Sequence, residues 1–268
     1  GTDDDGLVSG IQVRGAIRES GTLSIAHSDG TRLIVEQQEG LIRVDGPSVP
    51  QAVRNRAQVH YKFYSPVFTL IGGVQPVQPR VQVQNQTHHV FQKSSLVVHS
   101  RLSYQIDRAG VFDLKIKLPT DLTIESVTTE NMREYTIDDA TGVMTVSFNE
   151  KCLGHVQVIL KGRIDLEDAT EAKLSLPVPE PQNVFQETGI ISIYAPASLE
   201  IDTVEEETNG VVPVDVPVNV GNQGNGSTRL IASWSYQSRP LSVTVRTVRK
   251  PTRLSARVET YLEVNEDQ

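Results

Sequence analysis

The amino-acid sequence predicts an all-β protein of tandem antiparallel sandwiches, and three observations predict it. Short runs alternate apolar with polar residues. Turn-forming groups such as Asp29-Gly30, Glu39-Gly40 and Asp45-Gly46-Pro47 separate them, and two stretches flanking a central run repeat each other in order. Strands spaced by roughly 8 to 12 residues with such turn chemistry between them are the pattern of an antiparallel sandwich of Ig-like kind. The expected division is a first β-sandwich domain over residues 1–78 and a central one over 79–165. Residues 166–268 then hold a second copy of the first and the start of a further module.

From the N-terminus, residues 1–6 read as a mobile acidic lead-in. The Asp3-Asp4-Asp5-Gly6 cluster lacks the alternating oxygens and closing Glu of a calcium loop, so a solvated tail is expected. Strands are expected at 21–26, 31–36, 41–44 and 56–64. In the last of these Ala57, Val59, Tyr61 and Phe63 point one way while Gln58, His60 and Lys62 point the other, the period of a half-buried strand. Between Ser65 and Arg80, Gly72-Gly73 and the prolines Pro66, Pro76 and Pro79 predict a connector or edge segment, because proline brings no backbone donor. Two short strands, 80–84 and 89–92, are expected after it.

The most regular pattern runs from Leu96 to Gly162. Leu96, Val98, Ser100, Leu102, Tyr104 and Ile106 alternate with His99, Arg101, Ser103 and Gln105. After Arg108-Ala109-Gly110 the alternation resumes as Phe112, Leu114, Ile116 and Leu118, which predicts a hairpin with one wet face. A strand at 122–127 is expected next, then 135–137 meeting 143–148 across the Asp138–Gly142 turn, then 155–160. Residues 165–172 carry no clear pattern.

The repetition follows. Glu19-Ser20-Gly21-Thr22-Leu23-Ser24-Ile25 reappears as Glu187-Thr188-Gly189-Ile190-Ile191-Ser192-Ile193, and Gly40 with Val44-Asp45 and Pro47 reappears as Gly210 with Val214-Asp215 and Pro217. Residues 56–65 map onto 229–238, with Trp234 and Tyr236 in place of Tyr61 and Phe63, and residues 80–91 map onto 253–264. A period of this length suits an array of domains rather than a solenoid. The competing reading is two unrelated strand-rich segments that share turn residues. Under the array reading the chain is a piece of a longer protein, and a cut array leaves unpaired strand edges at both ends, which favours end-to-end contacts.

Composition narrows the function classes. The 25 basic and 33 acidic residues give a net charge of −8 without a basic block, which disfavours nucleic acid and anionic membrane as partners. No apolar run approaches the roughly 20 residues that span a bilayer, so no membrane insertion is expected within this segment. The single cysteine, Cys152, excludes an internal disulfide framework and a cysteine-rich zinc site.

Catalytic patterns are missing as well. There is no Gly-x-Ser-x-Gly elbow, and Gly221-Asn-Gln-Gly-Asn-Gly226 lacks the lysine of a phosphate loop and reads as a hairpin tip. His88 and His89 adjoin on a strand and so face opposite sides; a metal would need His99 or His155 as well, and none is expected. Asp138-Asp139 reads as a turn, Cys152 as a small residue near a strand end, and Glu205-Glu206-Glu207 as a solvated loop. The sequons Asn85-Gln-Thr87 and Asn225-Gly-Ser227 are short enough to arise by chance. For ligand binding the aromatic candidates are Trp234, Tyr236, Tyr61 and Phe63, with Tyr64 beside them, as stacking platforms; their alternation equally suits a core.

The segments at 110–119, 135–146 and 154–162 resemble modules of large, repetitive bacterial envelope or secreted proteins. They are also broadly similar to the non-catalytic β-sandwich that precedes the catalytic domain of zinc aminopeptidases. The resemblance covers the middle quarter of the chain and implies a secreted or cell-envelope location; without His-Glu-x-x-His it implies no peptidase chemistry. The expectation is a non-enzymatic structural or interaction segment, with no cofactor and a protein or carbohydrate as partner. The alternatives are a carbohydrate- or other ligand-binding module, or the accessory domain of a multidomain hydrolase.

Overall fold

The structure, a computed structural model, describes residues 6–8, 19–28, 30–46, 49, 51, 57–65, 67–166, 171–215, 228–249 and 260. These are almost entirely strand, with a 3-10 turn at Glu205–Glu207. The all-β expectation holds, arranged as one nine-stranded sheet and three three-stranded ones, all open.

Among its described residues the first region has six strands: β1 (Gly6–Val8), β2 (Gly21–Ile25), β3 (Thr31–Glu39), β4 (Leu41–Val44), β5 (Val59–Phe63) and β6 (Thr69–Pro76). They form two sheets, ordered β1-β6-β3 and β2-β5-β4. Leu41, Tyr61 and Leu70 make a small core between them, to which Leu23, Ile25, Val59, Phe63 and Phe68 add partly buried surface. The expected connector at 65–80 is corrected: it contains β6, the central strand of its sheet. Gly72 is there because the backbone of Ile34 passes where a side chain would begin, beside the bulge between Val35 and Gln37. Glycine marks a close approach of backbones here, not a loop.

The central region holds β7 (Arg80–Phe91), β8 (Ser95–Lys117), β9 (Thr123–Thr128), β10 (Met132–Asp138) and β11 (Val143–Asp165). Two expectations are corrected. The pair of short strands is one continuous β7, whose buried side reads Val81, Val83, Asn85, Thr87, His89. The period of two is intact, but three polar residues occupy the inward positions. The hairpin at Arg108-Ala109-Gly110 is instead an irregularity within a single 23-residue β8. Arg108 has φ 71° and Gly154, across on β11, has φ 86°. Both strands are irregular at the same level, so the ladder shifts register and continues instead of reversing. Residues from both halves of each strand, among them Leu102, Ile106, Ile116, Met144, Val146, Val158 and Leu160, line one core. The expected pairing of 135–137 with 143–148 is present as β10 on β11, from Met132 opposite Phe148 to Asp138 opposite Val143.

The last region supplies β12 (Glu171–Ser175), β13 (Glu180–Pro181), β14 (Gln186–Pro196), β15 (Leu199–Thr203), β16 (Val212–Pro213), β17 (Thr228–Tyr236) and β18 (Thr244–Arg249). β14 lies parallel to β7, Gln186 opposite Gln82 through Tyr194 opposite Val90. The large sheet therefore crosses residue 165 without a break, in the order β10-β11-β8-β7-β14-β17-β16. A second core joins Phe91, Leu96 and Val98 to Ile191, Ile193, Trp234, Tyr236, Val243 and Val245.

The strand registers of the two flanking regions run alike. Gly21 faces Phe63 and Leu23 faces Tyr61; Gly189 faces Tyr236 and Ile191 faces Trp234. Gly40 and Gly210 have φ 68° and 71°, and a side chain on either would strike the backbone of a partner segment, Val67 and Phe68 or Pro240 and Leu241. Glu39 pairs with Thr69 as Asn209 pairs with Ser242. Ser24 touches His60 at 2.9 Å, and Ser192 touches Ser233 at 2.9 Å.

Candidate functional site

The parallel seam between β7 and β14 holds Asn85, Thr87, His89, Glu187 and Ser192, half of the buried polar residues among those described. Parallel strands meet only by tertiary crossover, and this one brings Asn85 of β7 beside Glu187 of β14 and Tyr236 of β17. Glu187 is 8% exposed. Its Oε1 accepts from the Tyr236 hydroxyl at 2.6 Å and Arg239 Nη2 at 3.0 Å, and its Oε2 accepts from Arg239 Nε at 2.7 Å. Arg239 also donates to the Pro179 carbonyl at 2.9 Å, to which Asn85 Nδ2 donates at 3.1 Å. Asn85 Oδ1 in turn accepts from Thr87, whose hydroxyl lies 3.0 Å from that of Ser100. The clasp thus ties β7, β8, β14, β17 and the chain at Pro179 together.

Electrostatics agree with that geometry. Burial pushes the Tyr236 phenol well up, and the Glu187 charge and hydrogen bond push the same way, so Tyr236 is a fixed donor. Burial works against the Arg239 charge, but hydrogen bonding and attraction to Glu187 outweigh it and raise its pKa. A carboxylate held by a bidentate guanidinium and a phenol has its acceptor sites filled, which suits cross-linking strands better than moving protons.

Farther along the seam, His89 is fully buried and its Nε2 donates to the Pro177 carbonyl at 2.8 Å. Among the described residues its Nδ1 has no hydrogen-bond partner of good geometry, while the Ser192 backbone near the ring favours its charged form. Burial lowers its pKa to about 4, so the ring is neutral in the fold. His88 points to the other side, as strand geometry requires, opposite His99 on β8 and edge-on to Tyr194 with ring centres 5.7 Å apart. Lys161 of β11 stands opposite His99 and is paired with Glu125 at 2.7 Å. Both imidazoles are held below the ordinary histidine range, first by burial, then by the mutual His99 charge and Arg101 for His88, and by Lys161 for His99. No cluster of three or more His, Cys, Asp or Glu suited to a metal ion occurs among the described residues.

The aromatic candidates separate from one another. Tyr61, Trp234 and Tyr236 are 2%, 4% and 2% exposed, inside their cores, while Phe63 is half-buried against Phe68 with ring centres 5.0 Å apart. Tyr64 is exposed. Trp234 lines a cleft of about 650 Å³ with Thr203, Glu205, Thr208, Asp215 and Ser233. Cys152 lies in another cleft, of about 690 Å³, beside Glu130, Lys151 and His155. Burial and Glu150 raise its pKa, which keeps it a thiol and a poor nucleophile. Asp138 closes the turn it was expected to close, accepting from Ala140 N at 3.0 Å and Thr141 Oγ1 at 2.8 Å. Asn85, the first sequon residue, is fully buried. Asp3-Asp4-Asp5, Gly221–Gly226 and the Asn225 sequon lie outside the described residues.

No protein-family model matches the chain, and no curated protein is significantly similar to it. The clasp residues Arg239, Asn85 and Thr87 were not expected as a unit. The signal for them was the polar run Asn85, Thr87, His89 at alternate positions of one strand, which only burial turns into a network.

Proposed function

We propose that this chain is a non-enzymatic segment of a longer exported or envelope protein of bacterial type, in which Ig-like β modules repeat along an array and act as spacers or interaction surfaces. One observation carries the reading: the register that pairs β2 with β5 and β5 with β4 recurs where β14 pairs with β17 and β17 with β16, while the parallel seam fastens the last region to the central one. On this reading β1–β6 and the strands from β12 to β18 are two copies of one module, and β7–β11 form the element between them.

The filled acceptor sites of Glu187 and the high pKa of Cys152 support a structural role. No helix among the described residues is long and apolar enough to cross a membrane. The test is forced extension of the full chain held at its two ends. A spacer resists and then yields in cooperative steps, and its rupture rate rises in Arg239→Met, since forced unfolding follows the unfolding barrier. Smooth extension at low force refutes the spacer role. Protease treatment of intact producing cells tests the location: digestion of this segment is expected.

A second reading, a carbohydrate- or ligand-binding module, rests on the polar cleft that Trp234 lines. Titration with a glycan panel while following Trp234 fluorescence decides it, and an unchanged spectrum across the panel removes it.

A further inference from the structure

β14 and β2 occupy matching places but differ in what lies along their outer edge. β14 is covered by β7 in parallel, and Ile191, Ser192 and Ile193 are all fully buried. β2 pairs on one side with β5, and among the described residues nothing pairs with its other edge. Its residues Leu23, Ser24 and Ile25 are only half-buried, and among the described residues the core beneath has no counterpart of Phe91, Leu96 and Val98. An open edge beside half-buried apolar side chains is a template for an added strand.

We infer that this edge receives residues 253–264 of a second copy of the chain, added in parallel, so that copies join head to tail. The inference rests on the duplication proposed above, because residues 253–264 match β7 in sequence. The inward positions of β7, from Val81 to Phe91, correspond to Leu254, Ala256, Val258, Thr260, Leu262 and Val264; the alternate positions hold Arg253, Ser255, Arg257, Glu259, Tyr261 and Glu263.

Donor and acceptor also change together. Asn85 becomes Val258 where Tyr236 and Arg239 become Phe63 and Pro66, so the sequence offers apolar residues at the positions that match three members of the clasp. Glu19 keeps the place of Glu187. Transferring the β7–β14 register puts Gly21 opposite Val258, Thr22 opposite Glu259, Leu23 opposite Thr260 and Ile25 opposite Leu262.

The test uses the full chain carrying Cys152→Ser, one sample labelled at Thr22→Cys and another at Glu259→Cys. Mixing them is expected to give energy transfer that rises with concentration and is competed by a peptide of residues 250–268. Amide exchange of residues 21–25 is expected to slow by about tenfold or more on association, while that of the β10 edge is unchanged. A chain that stays monomeric at millimolar concentration overturns the inference. So does association that leaves residues 21–25 exchanging at the same rate. So does a chain bearing Thr260→Pro and Leu262→Pro that associates as tightly as the parent, since those changes fall in the donor alone. The forced-extension test reads the β7–β14 seam and keeps its own outcome whichever way this one falls.

Discussion

β2 and β14 carry nearly the same local sequence, each with a glycine facing an aromatic ring and the next inward residue facing another, yet their burial differs. In β14 Ile191 and Ile193 are fully enclosed; in β2 Leu23 and Ile25 are not. Strand pattern decides which side of a strand is apolar, but the neighbour along its edge decides how much of that side leaves water. The polar seam is the second difference. Where β14 is covered, buried Glu187, Tyr236 and Asn85 form a satisfied set with half-buried Arg239, a gain in specificity that works only while every partner is present.

Removing one partner of that set is the harshest way to break the comparison. Arg239→Met leaves the Glu187 carboxylate buried without its counter-ion and is expected to destabilise the chain by about 3–5 kcal/mol in urea unfolding. Glu187→Leu combined with Arg239→Met and Tyr236→Phe recovers most of that loss, because the apolar set leaves neither a stranded charge nor an unpaired phenol. The next test sets equivalent core positions against each other. Ile191→Ala is expected to cost about 3 kcal/mol and Leu23→Ala about 1 kcal/mol, since only the former empties a closed site. Equal losses by the same measurement mean that β2 is as well covered as β14.

Acid sharpens the same contrast. The folded chain holds His89 neutral down to about pH 4, whereas the unfolded chain takes up that proton near pH 6.5. Between those values the unfolded state binds more protons, so stability is full above the window and falls as pH drops through it, by up to roughly 3 kcal/mol from this group. His88 and His99 add in the same direction, and His89→Gln is expected to flatten the slope. The smallest effect concerns Tyr104, fully enclosed in the central core with a hydroxyl that has no hydrogen-bond partner among the described residues. Tyr104→Phe is expected to raise stability by about 1 kcal/mol, read as a higher urea midpoint at unchanged slope.

The sequence by itself determined the strand content and the inward face of most strands, because alternation and turn chemistry act over a few residues. It misread three places where a local signal has a non-local meaning. Gly72-Gly73 reads as a loop but admits a neighbouring backbone, Arg108-Ala109-Gly110 reads as a reversal but continues its ladder, and Asn85 to His88 reads as a gap but is buried strand. The clasp was illegible for the same reason: Asn85, Glu187 and Arg239 lie far apart in the chain and acquire their roles only when β7 and β14 come alongside. Tertiary structure alone decided the parallel seam, and with it which of two similar strands is enclosed. Backbone pairing between distant segments leaves no periodic mark on either one.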